Sequence, residues 1–120
     1  MRIRRVAHVN LSVDDVDAAA RFYGQVMGLA PAPRPNDAGA RAGCWFRVGE
    51  LEVHISAEPG AANAQSKRHV AFEVEDVDAA RRRFADEGYA IEEGRPVPGV
   101  RRFFVRDPAG NRLEIYDTNG

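Results

Sequence analysis

The chain has three histidines, His8, His54 and His69, and each stands at a polar position of an alternating run: "HVNLSV" (8–13), "LEVHIS" (51–56) and "HVAFEV" (69–74). A fourth run, "NRLEIY" (111–116), carries Glu114 where "LEVHIS" carries His54. Imidazole nitrogen and carboxylate oxygen together suit a divalent Zn, Ni, Co, Mn or Fe(II) ion. His8, His54, His69 and Glu114 are therefore the candidate ligands of one metal ion. An ion held by a few protein groups keeps open positions, and there it acts as a Lewis acid on substrate oxygens.

The spacing of these groups comes from an internal repeat. "HVNLSVDDVDAA" (8–19) and "HVAFEVEDVDAA" (69–80) share His, three valines, two aspartates and two alanines in register, and Arg21 over Arg82 continues it. Such self-similarity is read before any local pattern because it decides architecture. It predicts two copies of one module within a single domain over 1–120: module 1 about 1–57, a linker about 58–67 and module 2 about 68–120. Each module contributes two of the four polar groups, at equivalent positions.

The elements that must position them follow from periodicity. Val9, Leu11 and Val13 alternate with His8, Asn10 and Ser12, and Val70, Phe72 and Val74 with His69, Ala71 and Glu73, as half-buried strands require. His54 shares a face with Glu52 and Ser56, and Glu114 with Arg112 and Tyr116. A helix follows each first strand. Asp14 or Asp15 can cap the first, with Val16, Ala19, Ala20, Tyr23, Val26 and Met27 as its stripe and Gly28 as its stop. In the second, Asp76 is the cap, Val77, Ala80 and Phe84 the stripe, and Gly88 the stop. Strands are predicted near 43–48, 51–56, 101–106 and 111–117, with weaker ones near 30–34 and 90–94. "RVGE" and "DPAGN" are their hairpin turns. The fold class is α+β, two βαβββ modules whose sheets curl into one half-open mixed β-barrel. A pseudo-twofold relation between the modules would then gather the four polar groups.

Composition narrows the function classes. With 17 basic and 18 acidic residues, a net charge of −1 and a pI near 6.3, the chain has no overall field that draws it to nucleic acid or an anionic membrane. No run approaches the about 18 apolar residues that a membrane span needs. Cys44 is alone, so no internal disulfide forms, which points to a reducing cytoplasm and a buried structural thiol. The Pro-, Gly- and Ala-rich segments 31–43 and 57–67 read as loops; the first is placed to cover a site, and the second is long enough to let module 2 pair with its own module 1 or a neighbour's.

The runs "HVNLSVDDVDAAARFYGQVMGL", "HVAFEVEDVDAARRRFADEGY" and "FVRDPAGNRLEIYD" resemble the first strand and helix, the second-module start and the final hairpin of the vicinal oxygen chelate superfamily, the glyoxalase/bleomycin resistance/dioxygenase fold. The resemblance covers essentially the whole chain. It implies bidentate binding of two neighbouring substrate oxygens to an open-sided metal. It places His8, His69 and Glu114 at the family's first-strand His, second-module His and last-strand Glu. His54 fills the remaining ligand position, where glyoxalase I has Glu, and this departure changes the site's charge and its possible base. Glu114 would serve as ligand and proton carrier, and Tyr116 as a hydrogen-bond donor. Trp45, on the strand where Trp45 and Phe46 point to opposite faces, and Arg101 and Arg102, beside a Pro-Gly bend, are candidate substrate-binding residues.

The leading expectation is a small metal-dependent lyase or isomerase of glyoxalase type, acting on a small-molecule substrate as a homodimer. The alternatives are an Fe(II) extradiol-type dioxygenase and a non-catalytic drug-binding resistance protein. A thiol transferase of the fosfomycin-resistance type ranks lower, although His8, His69 and Glu114 match its His, His, Glu triad.

Overall fold

A computed structural model of the chain describes residues 1–35 and 42–119. Within the loop expected to cover a site, residues 36–41 lie outside the described residues. The chain divides into two compact units, Met1–Ala61 and Ala62–Gly120.

The first unit contains β1 (His8–Val13), α1 (Val16–Arg21), a π-helical turn (Phe22–Val26), β2 (Ala30–Ala32), β3 (Gly43–Val48) and β4 (Leu51–Ala57). Its sheet runs in the order β1-β4-β3-β2, with β1 parallel to β4 and the other pairs antiparallel. The second unit opens on a 3-10 turn (Asn63–Gln65) and continues through β5 (His69–Glu73), α2 (Val77–Asp86), β6 (Glu92–Glu93), β7 (Arg101–Arg106) and β8 (Arg112–Asp117). Its order is β5-β8-β7-β6, with β5 parallel to β8. Each unit is thus a βαβββ module with a mixed four-stranded sheet.

Alternation divides each sheet into two faces. Val13, Phe46, Val53 and Ile55 are buried with Ala19, Phe22, Tyr23 and Val26 of the first helical segment. Their counterparts are Phe72, Phe103, Val105, Leu113 and Ile115 with Val77 and Phe84 of α2. Each such side chain stabilises its module by roughly 1.5–3 kcal/mol relative to exposure. Burial on one face leaves the polar beat of every strand to the other.

The two helices differ in one respect from the sequence expectation. Asp15 caps α1 by accepting from the Ala18 N–H at 3.0 Å. After Arg21, however, the helix widens, and the Met27 N–H reaches the Phe22 carbonyl at 2.9 Å. A π-helical turn spreads its residues around the axis, and both Phe22 and Tyr23, consecutive in sequence, become fully buried. The apolar stripe expected here omitted Phe22. In the second unit α2 follows the expected plan: Asp76 accepts from Asp78 and Ala79 N–H groups at 2.9 and 3.2 Å, and Gly88 ends the helix at φ 87°.

The start of α2 is tied to the end of β8 through the buried Asp117 and its ion pair with the partly exposed Arg101. Asp117, 1% exposed, accepts from the Val77 N–H at 2.7 Å, from the Asn119 N–H at 3.0 Å and from Arg101 Nη2 and Nε at 2.7 and 3.0 Å. Arg101 also donates to Asp78 at 3.0 Å. The fork of Arg101 holds the Asp117 carboxyl well below the usual carboxylate range, against the opposing effect of burial, and the Val77 and Asn119 N–H groups add to the lowering. Arg101 is shifted upward in return, chiefly by its bonds to Asp117.

Because Asp117 has a depressed folded pKa, its stabilising effect is complete above its unfolded value of about 4 and is lost as the pH falls toward the folded value. Asp117→Asn is therefore expected to melt at lower temperature than the wild type at pH 7, with the gap narrowing below about pH 4. Thermal unfolding followed by circular dichroism from pH 2 to 8 checks this; a gap that stays constant with pH would remove the ionised carboxylate from the account.

Candidate functional site

In the first unit the polar face carries a stack of three rings. Trp45 on β3 is in register with His54 on β4, which lies beside Asn10 on β1. The Trp45 and His54 rings are 3.8 Å apart and within 3° of parallel, and the His54 and His8 rings are 4.0 Å apart at 17°. Strands about 4.8 Å apart bring flat side chains to this spacing. Beneath the stack, Phe46 faces the core and is buried.

His54 is held at its edge as well. Its Nε2 lies 2.9 Å from Glu52 Oε1, and Glu52 Oε2 receives Arg47 Nη2 at 2.7 Å. The hydrogen bond with His54 is the main reason the Glu52 carboxyl is lowered, and the Arg47 charge contributes. Further along the same face Ser56 donates to Asn10 at 2.7 Å. His8, by contrast, is exposed. A ligating nitrogen donates in its ring plane, so one ion cannot lie in the planes of two rings stacked face to face. As arranged, His8 is the imidazole of this pair that is free to turn toward an ion.

In the second unit His69 and Glu114 come together. His69 Nδ1 lies 3.0 Å from the Lys67 carbonyl, which can only accept, so Nδ1 carries the proton and the neutral ring presents a lone pair at Nε2. That Nε2 faces Glu114 Oε1 at 3.8 Å, too far for a hydrogen bond. With the ring neutral a lone pair and a carboxylate converge here, and with the ring protonated the same approach is an ion pair. Two ligands about 2.0–2.2 Å from a shared ion are themselves roughly 3.0–3.5 Å apart, so the pair stands within a few tenths of an ångström of that spacing. The Lys67 carbonyl is the kind of outer partner that orients a ligating imidazole. His69 and Glu114 are two donors, fewer than the three protein ligands of a catalytic zinc site, and Arg102 Nη1 already holds the same Glu114 oxygen at 2.8 Å. His69 also meets Phe104 edge to face at 5.4 Å, so the floor beside the pair is apolar.

The remaining expected residues are distributed as follows. Tyr116 shares the Glu114 face, in register with Arg102 and Glu73. Arg102 Nη1 donates to Glu114 Oε1 at 2.8 Å. Arg101, its neighbour, projects to the opposite, helix-covered face from the one that carries Arg102, and its guanidinium donates to Asp117 and Asp78. Cys44 is half-buried and burial pushes its thiol up, in keeping with a structural role. Sequence reasoning put Glu52 on the His54 face but gave it no part in the site. It also missed the Lys67 carbonyl, which no side-chain pattern reveals. Among the described residues no group of three or more His, Cys, Asp or Glu side chains is gathered to hold a metal.

Residues 5–115 match the Glyoxalase/Bleomycin resistance protein/Dioxygenase superfamily. The chain belongs to this superfamily. It is similar to the candidate glyoxylase CFP32 of Mycobacterium tuberculosis, 35% identical over 102 residues, which are 83% of this chain and 39% of that protein. The chain therefore spans about two fifths of that relative's length. It is 26% identical to the metallothiol transferase FosB of Shouchella clausii over 95% of this chain and 80% of that one. Among solved structures, a candidate glyoxalase family protein from Bacillus anthracis superposes with a TM-score of 0.88 at 32% identity, covering 99% of this chain and 100% of the other. The α+β fold of two βαβββ modules expected from the repeat, and its glyoxalase-like type expected from the resemblance, are thereby shown. Among the described residues no helix is long and apolar enough to cross a membrane.

The hydrogen bond to Lys67 predicts that neutral His69 is the Nδ1–H tautomer. Long-range nitrogen–proton NMR spectra of the imidazoles near pH 8 check this, and an Nε2–H ring would remove the lone pair aimed at Glu114.

Proposed function

We propose that the chain is a metal-dependent enzyme of the glyoxalase type, a lyase or isomerase that binds a small substrate through two neighbouring oxygens. The observation that supports this reading is the convergence of His69 Nε2, its tautomer set by Lys67, on the Glu114 carboxylate. His69 and Glu114 would hold the ion with His8, supplied by the first module of the same chain or of a second copy in a homodimer. His54 would act through His8, since a ring clamped by Trp45 and Glu52 gives the His8 ring a fixed surface to turn against.

A divalent ion bound there supplies Lewis-acid stabilisation of negative charge on substrate oxygens. The chain's own groups do the rest. Glu114 would take a proton from the substrate carbon and return it, once its ion pair with Arg102 opens. Tyr116, one pleat further along β8, would donate its hydroxyl proton in a hydrogen bond to a substrate oxygen. Phe104, edge to face with His69, would limit water beside the His69–Glu114 pair.

A second reading, a metal-dependent thiol transferase, is favoured by the stacked geometry of His54, which leaves His8, His69 and Glu114 as a three-ligand set, and by the likeness to FosB. The two readings separate on whether a thiol is consumed stoichiometrically or recovered after turnover.

Protein purified without chelator and loaded with Zn, Ni, Co, Mn or Fe(II) is expected to bind about one ion per chain. His69→Ala and Glu114→Gln are each expected to weaken that binding by at least tenfold to a hundredfold, the range found when a ligand's support is lost. Metal analysis by mass spectrometry with titration calorimetry measures both. Wild-type protein that binds none of these ions would end the metal reading and favour a binding protein without catalysis.

A further inference from the structure

Strands β7 and β8 carry Arg101, Arg102, Arg106 and Arg112, and the protein itself supplies hydrogen-bond acceptors to the first three. Arg101 donates to Asp117 and Asp78, Arg102 to Glu114 and the Arg95 carbonyl, and Arg106 to the carbonyls of Asn63, Ser66 and Gly110. Arg112 is different. Among the described residues its guanidinium makes no hydrogen bond, and the carboxylate paired with it, Glu92, stands with Oε2 3.8 Å from Nε, too far for one.

The fork is nevertheless held in place. Its carbon lies 3.7 Å over the centre of the buried Phe104 ring, and the Arg112 side chain is only 22% exposed. A guanidinium stacked on a fixed ring has already given up much of its rotamer freedom, so little more is lost when it takes a ligand. The charge around it is out of balance. In the sheet Arg112 stands between Arg106 on β7 and His69 on β5, and the acceptors of Arg106 are carbonyls, which bring no negative charge. Like charges directly opposite each other on paired strands repel. Glu92, its side chain 51% exposed, is a screened and incomplete counter-ion. A planar fork that is withdrawn from solvent, fixed on a ring and flanked by a second cation is suited to an oxyanion.

We propose that Arg112 anchors an oxyanion, the carboxylate or phosphate group of a small molecule, which its fork receives in bidentate fashion on the Phe104 ring. The anchored group sets the rest of that molecule beside His69, the neighbour of Arg112 across the sheet. Arg102 keeps its own fork on Glu114 and the Arg95 carbonyl, so the carboxylate nearest to His69 is already neutralised and does not repel the incoming anion. Glu92 is the group that the anion displaces, and its weak hold on Arg112 makes that displacement easy. No metal takes part, so the proposal stands apart from the metal reading.

Chelator-treated protein labelled with nitrogen-15, in low-salt buffer, is titrated with acetate and separately with inorganic phosphate. The Arg112 Nε–Hε signal, identified by its loss in Arg112→Lys, is expected to shift saturably; a shift with acetate assigns a carboxylate ligand, and a shift with phosphate alone a phosphate-bearing one. Arg112→Met is expected to weaken binding of the effective anion about tenfold, the scale of a lost charge-assisted hydrogen bond, as read by calorimetry. Arg112→Lys, which keeps the charge and loses the fork, is expected to weaken it by less. Glu92→Gln removes the competing carboxylate and is expected to tighten binding about threefold, and it carries the test should Arg112→Met not fold. An Arg112 signal that neither anion shifts, or anion binding that neither Arg112→Met nor Glu92→Gln alters, overturns the proposal and leaves the metal reading untouched.

Discussion

In each unit the parallel pairing of the first strand with the last decides which distant side chains can meet. A parallel pair requires a crossover, and α1 and α2 supply it while covering one face of the sheet. The uncovered face then receives the polar beat of both strands. Val9 lies beside Val53, and Val70 beside Leu113, which fixes the register through apolar contacts. A slip of one residue would send His8 and His69 into the core and bring valines out to solvent, so the hydrophobic pattern itself guards the placement of the polar groups.

The same scaffold carries two different polar faces. The first unit spends its face on rings, with Trp45, His54 and His8 in a stack, and the carboxylate of Glu52 serves His54 from the side. The second unit spends it on charge, with Glu114 between His69 and Arg102, and Arg112 lying 3.7 Å over the Phe104 ring. Equivalent backbone positions thus hold groups of unlike physical character: His54 is rigid and largely buried, whereas Glu114 sits among partners that compete for it. The duplication repeats positions and leaves their chemistry free to diverge.

Much of this arrangement was legible in the sequence because it depends on period. Alternation places His8, His54, His69 and Glu114 on one face of their strands, and Asp76 with Gly88 marks the ends of α2. What period cannot supply is the partner across the sheet. The Trp45–His54–His8 stack requires three strands in one register, and the π-helical turn arises because Phe22 and Tyr23 must both reach the core. The opposite fates of Arg101 and Arg102 illustrate the same point. The two are adjacent and chemically identical, so composition treats them as one cluster; the pleat sends one to Asp117 and the other to Glu114.

That separation also explains how a buried charge is tolerated so close to the site. Arg101 and Asp117 neutralise each other on the covered face, and Asp117 satisfies the N–H groups of Val77 and Asn119, which would otherwise lack partners at the start of α2 and the end of β8. The pair therefore anchors β7 and β8 together from the helix side. With their backbones held from behind, Arg102 and Glu114 meet on the front of the same two strands, so the frame that holds one ion pair also fixes the spacing of the other.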